Sequence, residues 1–155
     1  MPNVTAVNLP QQSLLNGRIK PEDFIDCYCV SSSLSPREAS EIITSFPAWA
    51  EFLMRIRGIL TTPFGLSNDG PSAEDKIGAF PVEIENDYEL IAGFNDKHLE
   101  FRVCVISDEG LVYLATWVHP HNIGGKLYLR AIMPFHILIA RDALKRVHNS
   151  GPKVT

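Results

Sequence analysis

Three short links constrain this chain more than any other feature. "ENDYE", "NDKH" and "SDEG" separate four strand-like runs, Ala79–Glu85, Tyr88–Asn95, Leu99–Ser107 and Leu111–His121. Links this short and this rich in Asn, Asp and Gly suit hairpins. A parallel sheet needs crossovers of a dozen residues or more, so these runs predict an antiparallel meander. A further run precedes them. In Asp23–Ser32, Phe24, Tyr28 and Val30 fall on one side and Ile25, Cys27 and Cys29 on the other, which reads as a first strand.

Two short helices are expected after that strand. Ser35 is placed as an N-cap, Pro36 at the first helical position and Glu38 where a capping box would hold it. Pro47 opens a second helix to Leu60, with Trp49, Phe52, Leu53, Ile56 and Leu60 as one apolar stripe and Arg55 and Arg57 as part of a solvated face. Residues 61–75 form a Pro/Gly-rich loop of roughly fifteen residues, longer than an ordinary connector. Met1 to Lys20 show no strong period and read as an N-terminal arm.

From about Gly125 to His148 the pattern is one helix of roughly 36 Å. It is apolar over most of its circumference, so cover is expected on more than one side. The fold class is therefore α+β: a curved antiparallel sheet gripping a long C-terminal helix, with two short helices closing one end. Where helix and sheet do not meet, an apolar cavity results. We expect Phe101, Thr116, Val118, Tyr128, Ile132 and His136 to line it.

Composition narrows the function. The 155 residues are 45% hydrophobic and 21% charged, with net charge −4, which suits one globular domain (the arm at 1–20, the folded part at 21–150). Nothing points to nucleic acid or to an anionic membrane. The apolar run Ala131–Ala140 is interrupted by Pro134 and His136 and is too short to span a bilayer, so the chain is expected to be cytoplasmic. Three cysteines read as buried free thiols.

The stretch "HPHNIGGKLYLRAIMPFH" holds three of the five histidines. His119 and His121 share a strand face, yet no acidic residue between Leu111 and Ala140 stands behind an imidazole, which argues against a metal site. Asn122, Gly124 and Gly125 read as a turn before the helix. His136, two residues after a helix-interior proline, is the best candidate for a polar group facing the cavity. Glu83, Glu85, Asp87 and Glu89 read as a solvated edge. In "LEFRVCV" the face of Phe101, Val103 and Val105 should meet the helix, and the face of Glu100, Arg102 and Cys104 should meet water. Both faces of the last strand are apolar, which suggests cover from a second copy of the chain in a homodimer.

"TTPFGL", "DKHLEFRV", "HPHNIGGKLYL" and "MPFH" occur in the order seen in an uncharacterised bacterial domain-of-unknown-function family. Some members of that family are fused to NAD(P)H-binding short-chain-dehydrogenase-like domains. The element order also resembles the START and polyketide-cyclase helix-grip superfamily. The resemblance implies a fold and a cavity for a small apolar or aromatic ligand. It implies no catalytic residues and no cofactor, and any oxidoreductase partner would be a separate chain. A binding module is the leading expectation. A cyclase or isomerase using His136 or His121 as proton carrier, and an interaction subunit for an oxidoreductase, are the alternatives.

Overall fold

The computed structural model describes residues 3–45, 75–77, 80–95 and 99–151. These form a seven-stranded antiparallel sheet and a long C-terminal helix. The strands are β1 (Thr5–Ala6), β2 (Phe24–Ser31), β3 (Lys76–Ile77), β4 (Phe80–Glu85), β5 (Glu89–Asn95), β6 (Leu99–Asp108) and β7 (Leu111–Pro120). The helices are α1 (Pro36–Ile43) and α2 (Ile123–Ser150), with a 3₁₀ turn at Leu14–Gly17. The sheet order is β1-β2-β7-β6-β5-β4-β3. The expected helix at 47–60, with Arg55 and Arg57, and nearly all of the loop at 61–75 lie outside the described residues.

The local signals explain the elements. Ser35 caps α1 by accepting from the Glu38 amide at 3.2 Å, and its hydroxyl donates to Glu38 Oε1 at 3.1 Å. Between β6 and β7, Glu109 and Gly110 both have positive φ, 48° and 79°, as a tight two-residue hairpin turn requires. Asn122 caps α2 by accepting from the Gly125 amide at 3.0 Å. The helix therefore begins at Ile123, and Gly124 and Gly125 belong to its first turn rather than to a preceding corner.

Register assigns the two faces of the sheet. Tyr28 and Val30 of β2, Val105 of β6, and Val112 and Leu114 of β7 face α1 and α2, where they pack on Ala39, Ile43, Ala140, Ala143, Leu144 and Val147. On the other face Cys27, Ile91, Cys104, Ile106, Ala115 and Trp117 form a second core. Here one expectation fails. Arg102 is only 9% exposed and Cys104 fully buried, so the arginine face does not meet water. The cover comes from this chain's own N-terminal segment, whose Val7, Leu9, Leu15 and Ile19 lie on that core.

That segment is held as well as packed. Thr5 and Ala6 pair with Cys29 and Tyr28. Glu89, 1% exposed, accepts from Ser13 Oγ at 2.7 Å, the Leu14 amide at 2.8 Å and Cys104 Sγ at 3.2 Å. Burial pushes the Cys104 thiol up, which keeps it a donor. Glu83, Glu85 and Asp87 are exposed as expected, but Glu89 is not part of a solvated edge. All three cysteines are free.

Gly93 lets β5 pass Arg102. Its φ is +146°, and a Cβ there would collide with the Phe101 carbonyl oxygen and stand 3.0 Å from Arg102 Cα. Backbone strain of this kind costs about 1–3 kcal/mol. Gly93→Ala should therefore lower the urea-unfolding free energy by at least that range. An unchanged midpoint would show that the strand can shift to accept the methyl group.

Helix α2 is not covered all round. Ala140, Ala143, Leu144 and Val147 are buried, but before Ala140 only Gly125 is. Ile123 is 74% exposed and Leu127 61%, and Phe135 and Leu138 are also exposed. The apolar stretch extends beyond Ala131–Ala140: by length and composition α2 is long and apolar enough to cross a membrane, with 11% of its most apolar window buried.

Candidate functional site

The helix side of the site follows from strand register. Phe24 pairs with Val118 and Asp26 with Thr116, so these four residues share the face beneath α2. Phe101 pairs with both Val118 and Phe94 and extends that face by one and two strands. It is half-buried and meets Phe80 and Phe94 edge-on, at ring-centroid distances of 5.4 and 4.7 Å. His136 descends from α2. Its Nε2 lies 2.9 Å from Asp26 Oδ2, and its ring stands edge-on to Phe24 at 6.1 Å.

The expected lining residues thus fall into two groups. Thr116, Val118 and His136 come together around Asp26 and Phe24, with Phe101 one strand further along. Tyr128 and Ile132 precede His136 by eight and four residues, a spacing that puts all three along one side of the helix, and all three are half-buried. Asp26 Oδ1 is buried and has no hydrogen-bond partner among the described residues. A buried carboxyl oxygen in that state favours any donor that reaches it.

The opposite face carries a second histidine–carboxylate pair. His119 Nδ1 lies 2.5 Å from Asp23 Oδ1, while Asp23 Oδ2 accepts from Trp117 Nε1 at 2.8 Å and from the Lys20 amide at 2.9 Å. Burial alone would raise the Asp23 carboxyl. The bonds from His119, Lys20 and Trp117 outweigh it and hold the group below the usual carboxylate range. An ionised carboxylate only accepts, so Nδ1 carries the proton and Nε2 is the basic nitrogen. The Trp117 and His119 rings are nearly parallel, at an interplanar angle of 10°. His119 and Trp117 border a cavity of about 420 Å³ together with Arg18, Lys20, Glu100 and Arg102.

Sequence reasoning found the histidines and missed their carboxylates. No acidic residue lies within Leu111–Ala140, whereas Asp23 and Asp26 come from the β2 side of the sheet, 96 and 110 residues away. Glu100, opposite His119 on β6, approaches His121 Nε2 at 3.6 Å. One signal was available. In "DFID" the two aspartates are three positions apart, so in a strand they point to opposite faces. Among the described residues, no three His, Cys, Asp or Glu side chains are grouped as a metal set would need. A carboxylate stands behind each of His119 and His136, an arrangement able to hold or pass a proton.

A family model described as "Protein of unknown function (DUF2867)" matches residues 19–143. No curated protein and no solved structure shows a significant match.

Proposed function

The chain belongs to the DUF2867 family, and we propose that it is a cytoplasmic binding module of the helix-grip kind, related in build to START and polyketide-cyclase domains. Its ligand is a small apolar or aromatic molecule with one polar group. The ligand lies between the sheet and the first half of α2, against Phe101, Thr116, Val118, Tyr128 and Ile132, with its polar end at His136 and Asp26. One observation carries this reading: burial changes abruptly along a single helix. From Ala140 onward α2 closes on the sheet. Before it, Phe24, Phe101, Thr116 and His136 are only half-buried beneath or on an apolar helix. The orphaned Asp26 oxygen marks the polar end.

The His136–Asp26 dyad also favours a second reading, in which the same pocket moves a proton in a cyclase or isomerase reaction. Binding is tested first, with two probes that differ by one hydroxyl, 1-naphthol and naphthalene. Both should bind the purified protein. His136→Leu should weaken 1-naphthol by about 0.5–1.5 kcal/mol, one neutral hydrogen bond, and leave naphthalene unchanged. Failure of both probes to bind, with no small molecule in the native mass spectrum of fresh protein, would sink the binding module.

A further inference from the structure

We infer that the cavity on the opposite face of the sheet is a second binding site, which takes up a small oxyanion together with a proton at His119. The charges at the cavity are arranged for this. Arg18, Lys20 and Arg102 supply three cations around it. Both guanidinium groups are held on one carboxylate: Glu83 pairs with Arg18 through Oε1 and with Arg102 Nε at 3.0 Å through Oε2. Arg102 is further fixed by donating to the Phe101 carbonyl at 2.7 Å. Arginines held this way are preorganised for a planar oxyanion.

The opposing charges are Glu83, Glu100 and Asp23. Among the described residues three cations face three carboxylates, so with His119 neutral these charges balance. Protonating His119 is what leaves a positive charge in excess. The proton goes to the imidazole because Asp23, held by three hydrogen bonds, stays ionised beside it. The groups facing His119 are therefore Asp23 from the segment before β2, Glu100 and Arg102 from β6, Arg18 and Lys20 from the N-terminal segment, and His121 two residues along its own strand. His121 lies 5.8 Å from it, ring to ring, and next to Glu100. Anion and proton enter as a neutral pair, so affinity rises as pH falls.

Calorimetric titration of the full chain tests this with benzoate and, separately, nitrate, planar monoanions that do not themselves titrate near neutral pH, each in two buffers of different ionisation enthalpy. That pairing counts the protons taken up. Whichever anion binds names the source of the oxyanion, and its binding should carry net proton uptake. His119→Gln should abolish the uptake and weaken binding about tenfold, the loss of one charge-assisted hydrogen bond. Lys20→Gln, at an exposed backbone position, should weaken binding but retain the uptake, which keeps the test valid if His119→Gln folds poorly. His136→Leu should change neither quantity, which separates this site from the one beneath α2. Absence of heat with both anions in both buffers, or uptake that persists in His119→Gln, overturns the assignment.

Discussion

Glu89→Ala is expected to lower the unfolding free energy by about 2–6 kcal/mol, because two buried donors lose their acceptor and each costs about 1–3 kcal/mol when orphaned. Ser13 Oγ, the Leu14 amide and Cys104 Sγ all converge on this carboxyl. Ser13 and Cys104 are buried, so water does not replace the lost oxygen. The damage should be local before it is global. With the clasp gone, the 3₁₀ turn and Leu15, which is fully buried against the second core, come away from the sheet. Limited proteolysis should then cut among the first twenty residues while the rest of the domain resists. Arg18 and Lys20 sit on the same segment, so anion binding in the cavity should fall in parallel. A loss below about 1 kcal/mol, with an unchanged cleavage pattern, would mean that apolar packing alone holds the segment.

Pro134→Ala is expected to act in the opposite direction, raising stability by about 3 kcal/mol. A helix-interior proline costs that much relative to alanine, since it has no amide to donate to the carbonyl of Arg130 and its ring crowds that turn. The helix runs unbroken from Ile123 to Ser150 with Pro134 inside it, and Pro134 is exposed, so the substitution removes no core contact. The functional consequence follows from position. Pro134 lies two residues before His136, in the part of α2 that does not close on the sheet. Relaxing that turn should let the helix settle and narrow the space beneath it. Thermal unfolding should therefore show a higher midpoint while 1-naphthol binds more weakly. A higher midpoint with unchanged affinity would separate helix strain from pocket shape. No rise at all would show that the surrounding turn already absorbs the proline.

Much of the fold was legible because it is written in local periods and local caps. β4, β5, β6 and β7 lie within a residue or two of the runs separated by the three short links, and Ser35 caps α1 as its spacing predicts. Alternation also sorted Phe101, Val103 and Val105 from Arg102 and Cys104. It could not say what lies opposite each set, because alternation defines faces and not their neighbours. Val7, Leu9, Leu15 and Ile19 follow neither a helical nor a strand period. Their role as the lid of the second core comes from pairing with β2 and from a contact to Glu89 some 75 residues away. Glu89 itself looked like one of four surface carboxylates until the N-terminal segment was seen to cover it.

The site divides in the same way. The sequence by itself determined that His119 and His121 stand at a strand end, that His136 lies on a long apolar helix beside a proline, and that the strands form an antiparallel meander. Those features depend on residues close in the chain. Only the tertiary structure decided that Asp23 meets His119 and Asp26 meets His136, on opposite faces of one sheet. The physical reason is register. The antiparallel pairing of β2 with β7 sets Phe24 against Val118 and Asp26 against Thr116, and a slip of one residue would send every one of these side chains to the other face.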